Sequence, residues 1–103
     1  DLAIIIITTK IIMKYKIYAG LGGGFGGATY QETGTFANKK DAMDYAYELA
    51  VQEYEQYDGL HGLRSVNMIM DEEGYSEEEA YDEWCQEMES WLDFYVKKVD
   101  EKK

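Results

Sequence analysis

The hydrophobic and polar positions of this chain change period along its length, and the changes mark its elements. Over 14–19, Tyr15, Ile17 and Ala19 alternate with Lys14, Lys16 and Tyr18, the period of two of a strand buried on one face. Residues 28–36 read as a second strand, with a bulge expected at Gly34. The intervening Gly20-Leu21-Gly22-Gly23-Gly24-Phe25-Gly26-Gly27 makes the pair a glycine-looped hairpin. At Asn38, a good N-cap, the period shifts to that of a helix: Ala42, Met43, Ala46, Leu49, Ala50, Tyr54 and Tyr57 share one face to about Asp58. Gly59 and Gly62 bracket a turn. Ser65 then caps a short helix through Val66, Ile69 and Met70 that Gly74 ends, a strand over 65–70 being the weaker alternative. Ser76 and Glu79 form a capping box for a last helix, with Tyr81, Trp84, Cys85, Met88, Trp91, Leu92, Tyr95 and Val99 as its inner stripe. Lys97, Lys98, Lys102 and Lys103 then fall at its C-terminal end.

The predicted fold class is α+β: an N-terminal β-hairpin or small antiparallel sheet with a glycine-rich loop, packed against two long helices and one short one. At 103 residues the chain has room for one domain, expected over 13–103. Residues 1–12 form an apolar extension, read either as an extra strand or as a leader ahead of a natural start at Met13. The extension is too short to span a bilayer, which takes about 20 apolar residues. It also lacks the basic start and cleavage site of a secretory signal. With a single cysteine, Cys85, the composition fits a reducing compartment, and a cytoplasmic location is expected.

Charge sharpens this picture. Between Asp41 and Val96 seventeen carboxylates face one base, Arg64, within a chain of net charge −11. Such a field favours basic partners and disfavours phosphates and anionic membranes. Plotted on the last helix, Glu78, Glu79, Asp82, Glu83, Glu87, Glu89 and Asp93 fill the half-turn opposite the aromatic stripe, while Asp44, Glu48, Glu55 and Asp58 lie on the outer face of the first. From Glu77 to Asp93 eight acids would be spaced by about 3.4 Å along a helix, near the phosphate interval of one DNA strand. These acids are the predicted partner-binding residues, although a face kept charged for solubility has the same pattern. Glu53 falls among Ala46, Leu49 and Ala50, so a structural pair with Arg64 is expected.

Other motifs carry less. Asp71 to Asp82 fails the EF-hand spacing, with Ser76 where glycine belongs and Asp82 where glutamate belongs, so no metal site is expected. Gly22, Gly24 and Gly27 match G-x-G-x-x-G but precede a strand and not a helix, so the dinucleotide fingerprint lacks its context. Cys85 lies on the apolar stripe, where an inert thiol is usual, and a nucleophilic site with His61 is disfavoured. No cofactor and no catalytic residue is expected.

The glycine block, the loop Gly59-Leu60-His61-Gly62-Leu63-Arg64 and the closing Trp91-Leu92-Asp93-Phe94-Tyr95-Val96 resemble small uncharacterised acidic proteins of bacteriophages and mobile elements of gut bacteria. The resemblance covers Met13 to about Val96. It implies a phage-type inhibitor that occupies the basic nucleic-acid-binding surface of a host protein in the host cytoplasm. The expected function is therefore non-enzymatic binding of a basic protein surface, with no direct contact to nucleic acid or membrane. Two alternatives stay open: a small nucleotide- or ligand-binding module using the glycine loop, and a self-assembling protein using its apolar N-terminal strand.

Overall fold

The clean alternation of 14–19 becomes β1 (Met13–Leu21), the middle strand of a three-stranded antiparallel sheet. Residues 13–99 are described by the structure, a computed structural model, so the reading of 1–12 as an extension lies outside them. β2 (Gly27–Phe36) pairs with one edge of β1 and β3 (Leu92–Lys98) with the other. Three helices complete the α+β architecture: α1 (Lys39–Gln56), α2 (Val66–Glu73) and α3 (Glu77–Trp91). No helix among the described residues is long and apolar enough to cross a membrane.

The helix starts follow local chemistry. The Asn38 side chain accepts the Asp41 amide at 2.8 Å, and Ser65 accepts that of Met68. Ser76 and Glu79 cap each other's backbone amides, so the capping box forms as its residue types require. Gly74, at φ +72°, closes α2 in the left-handed conformation. Over 65–70 the chain is thus helix, and the strand alternative is excluded.

One face of β1 (Tyr15, Ile17, Ala19 and Leu21) is buried beneath α1. α1 turns toward it the row Ala42, Ala46, Ala50 and Tyr54, all fully buried. Alanine side chains bring the helix backbone close to the sheet, so Tyr15, Ile17, Ala42, Ala46 and Val96 form one tight cluster. Leu21, Tyr54, Leu63 and Met88 form a second, walled by Trp84, Trp91 and Phe25, which joins α3 to the sheet.

Two sequence expectations are corrected here. The last helix ends at Trp91, and Leu92 turns extended (φ −65°, ψ 135°) to begin β3. Lys97 and Lys98 therefore belong to a strand and do not complement a helix terminus. Leu92, Tyr95 and Val99 keep a helical step of three to four, while Leu92, Phe94 and Val96 keep a strand period of two. The free edge of β1 decides between them, because pairing there satisfies seven residues of backbone. The bulge lies at Gln31, not Gly34: Ile17 pairs with Glu32 but Tyr18 with Tyr30, leaving Gln31 unmatched. Its side-chain amide donates to the Ala19 and Thr29 carbonyls, which stabilises the irregularity.

A candidate acidic docking groove

The α1–α2 connection positions one cation among many acids. Gly59, His61 and Gly62 take positive φ, and Leu63 is buried as the loop's anchor. Arg64 follows. Its guanidinium donates to Glu72 at 2.9 Å, to Glu73 at 3.1 Å and to Glu87 of α3. Those bonds, Glu87's first, raise the guanidinium pKa above its already high value. The expected Glu53–Arg64 pair is overturned. Glu72 and Glu73 occupy the last turn of α2, where the helix dipole disfavours acids, and they draw the one nearby cation. Glu53 stays half-exposed on α1. Replacing Arg64 by Met should leave three converging carboxylates without a counter-charge and lower the melting temperature by circular dichroism. Added salt should restore part of that loss, because it screens their repulsion. An unchanged melting curve would show that the cluster does not hold α2 on α3.

α3 keeps Trp84, Met88 and Trp91 against the core as its aromatic periodicity predicts, but is turned by a fraction of a residue from the expected orientation. Its deeply buried residues are Ala80 and Met88, while Tyr81, expected inside, is 54% exposed. The small Ala80 lets α3 approach its neighbours closely, and the rotation carries Glu87 in toward Arg64. The same rotation opens a groove of about 540 Å³ between the end of α1, the head of α2 and the first turns of α3. Asp58, Glu77, Glu78 and Tyr81 supply its chemistry, over a floor of Ser65, Val66 and Asn67. Asp58 is fixed by the Trp84 indole N–H at 2.8 Å, and Trp84 in turn stacks beneath Tyr81 at 5.9 Å. Glu77 and Glu78 lie in the first turn of α3, at the positive end of its dipole. On the opposite flank of these turns Tyr75, Glu79, Asp82, Glu83 and Gln86 line a shallower recess of about 270 Å³.

The remaining predicted acids do not form one uninterrupted face. Glu79 caps its own helix, and Glu87 is held by Arg64. Glu89 accepts the Tyr47 hydroxyl at 2.5 Å, and this bond pushes the phenol pKa up to about 12. Asp93, expected on the helix, lies on β3 and accepts the Ala28 amide at 2.8 Å. On α1, Asp44 is paired with Lys40 at 3.0 Å, and Glu48 and Glu55 are exposed. The phosphate-like row is therefore interrupted, and the open acids concentrate at the head of α3. Sequence reasoning placed Asp58 on the outer acidic face of the first helix, but missed Glu77 and Tyr81 as groove residues. Glu77 and Glu78 were legible as first-turn acids, but the groove needs the rotation of α3.

Elsewhere, Gly24, Phe25, Tyr57, His61 and Trp91 line an aromatic recess of about 390 Å³. His61 packs edge-on to Phe25 and Tyr57, whereas Cys85 neighbours Tyr81 on α3. The glycine segment forms a tight turn in which three amides are engaged. Gly22 donates to the Trp91 carbonyl at 2.8 Å, Phe25 to Gly22 and Gly26 to Gly23. Among the described residues no group of three or more His, Cys, Asp or Glu side chains is placed to hold a metal ion. Comparison with protein-family models, curated proteins and solved structures returned no match.

Proposed function

We propose that this chain is a non-enzymatic binding domain that docks a basic segment of a partner protein in the groove at the head of α3. The observation that carries this reading is the composition of the groove. Three carboxylates and an exposed, indole-backed tyrosine line a recess in which, among the described residues, no lysine or arginine takes part. An inserted Lys or Arg would gain charge-assisted hydrogen bonds to Glu77, Glu78 and Asp58 and a cation–π contact with Tyr81. The net charge of −11 would steer a cationic surface toward it. The resemblance to small phage proteins supplies a setting, in which the partner is the basic nucleic-acid-binding surface of a host protein in the host cytoplasm. The local cluster fits a basic loop or peptide better than it imitates a long run of phosphates.

Fluorescence anisotropy with a labelled arginine-rich peptide tests this. Glu77→Lys with Glu78→Lys should weaken binding by about tenfold or more, corresponding to at least one interaction of about 1.4 kcal/mol. Glu48→Lys with Glu55→Lys changes the net charge equally but lies on α1, and should weaken binding much less. Equal weakening by both pairs would mean that only total charge matters and that the groove is no site.

A second reading is favoured by the aromatic recess beside the glycine turn, which suits a small planar ligand. Thermal stabilisation by such a ligand, lost on Trp91→Ala or Phe25→Ala, would favour it.

A further inference from the structure

The sheet has a second face that the groove does not use. β1 alternates, so with Tyr15, Ile17, Ala19 and Leu21 under α1, its Lys14, Lys16 and Tyr18 lie on the open side. Directly paired residues share a face in an antiparallel sheet, and beside the row Ala28, Gly20, Asp93, whose carboxylate is held by the Ala28 amide, the register assembles two further rows across all three strands. The first is Tyr30, Tyr18, Tyr95. The second is Thr33, Lys16, Lys97. Tyr18 and Tyr95 stack at 4.5 Å and 7°, Tyr30 meets Tyr18 edge-on at 5.7 Å, and the Lys97 ammonium lies 5.5 Å from the Tyr18 ring. Tyr30 and Tyr95 are 54% and 39% exposed. Among the described residues neither Lys16 nor Lys97 has an ion-pair partner.

Charge is segregated between the two halves of the molecule. The three strands carry four lysines and two acids, whereas the three helices carry fifteen acids and two lysines. We propose that the tyrosine–lysine face of the sheet docks against the acidic groove of a second copy of this chain, head to tail. This rests on the reading of the groove as a cation-binding site and names a partner for it. Lys16 and Lys97 meet Asp58, Glu77 and Glu78, and the tyrosine row packs against Tyr81. Tyrosine combines a large apolar area with a polar tip and is enriched where proteins meet.

A second copy fits this face better than a nucleic-acid strand. The rows are only about 10 Å wide, the span of three strands, so a longer polyanion would run past them onto the acidic helical body. The groove, by contrast, gathers its acids in one recess of about 540 Å³. At physiological ionic strength the repulsion between two net-negative copies is screened beyond about 8 Å, and the contacts themselves decide. Because the two surfaces differ, the contact is heterologous and propagates into a ring or an open chain, and the same groove would be contested by any other basic partner.

Sedimentation of the full chain up to about 500 µM, a range that reveals contacts of sub-millimolar Kd, provides the test. Concentration-dependent assembly is expected for the wild type. Lys16→Gln with Lys97→Gln should be monomeric, as should Glu77→Gln with Glu78→Gln. Mixed in equal amounts, these two variants should form a dimer and nothing larger, because each retains one working surface. A wild type that stays monomeric, or a mixture that does, overturns the proposal. If that monomer still binds the arginine-rich peptide, the groove reading survives and only its partner is wrong. If its Tyr30 and Lys97 resonances shift with an oligonucleotide, the sheet face serves nucleic acid and the proposal fails.

Discussion

Replacing Ile17 with alanine is expected to remove about 3–4 kcal/mol of stability, the upper part of the usual range for deleting a buried branched side chain. Ile17 is fully buried at the centre of the middle strand, in one cluster with Ala42 and Ala46 of α1 and with Val96, its partner on β3. The cost depends on whether the surroundings can collapse into the vacated space. Here they cannot readily do so: the alanines have no length to extend, and they already hold the α1 backbone close to the sheet. A domain of this size has about 5–15 kcal/mol in all, so the variant should retain its fold with a much reduced urea midpoint and an unchanged slope. A loss below about 1 kcal/mol would mean that α1 does not pack on this strand as described.

What the sequence reveals and what it hides divide along physical lines. The starts of the helices were readable because Asn38, Ser65 and Ser76 act through hydrogen bonds spanning three residues, and the end of α2 because Gly74 acts alone. β1 was readable because its period of two admits no helical reading. Where two periods coincided, local information failed. Leu92, Tyr95 and Val99 satisfy one and Leu92, Phe94 and Val96 the other, and only the unpaired edge of β1, more than seventy residues upstream, makes the segment a strand. The bulge went to Gln31 because an amide side chain can tie up the loose carbonyls, whereas Gly34, with no side chain, supplies nothing for that purpose.

The candidate site was less legible still, because small rotations decide it. A partial turn of α3 brings Glu87, expected on the outer face, to Arg64 and leaves Tyr81, expected in the core, at the groove, while Trp84, Met88 and Trp91 stay inside. No periodicity argument resolves a turn smaller than the roughly 100° between neighbouring residues when Ala80 and Tyr81 are adjacent and both are plausible core residues. Arg64 shows the same limit. Proximity in sequence favoured Glu53, but the guanidinium answers to a convergence of α2 and α3 that exists only in three dimensions. The tyrosine and lysine rows likewise become visible only once the register of all three strands is known.

Gly20→Ala should cost about 3 kcal/mol, and its cause separates a structural glycine segment from a ligand-binding one. A Cβ at Gly20 would lie 2.6 Å from the Gly27 carbonyl oxygen and 3.2 Å from the Ala28 Cα, both backbone atoms of β2 that cannot swing aside. The register explains why the space must stay empty. Gly20 pairs with Ala28 on one side and Asp93 on the other, and the Asp93 carboxylate reaches across the middle strand to accept the Ala28 amide at 2.8 Å. Only a residue without a side chain lets one edge strand hold the other over its top. Alanine would therefore force β1 and β2 apart, at about 1–3 kcal/mol for overpacking, and stretch a charge-assisted hydrogen bond of about 1.5–3 kcal/mol. The two contributions overlap, which keeps the total near 3. A double-mutant cycle isolates the coupling. Asp93→Ala should destabilise the wild type clearly but the Gly20→Ala variant hardly at all, measured by urea unfolding. Additive losses would mean that Asp93 acts independently of Gly20. That result would return Asp93 to the set of outward acids assigned by sequence, and leave the close strand approach as the whole reason for glycine at position 20.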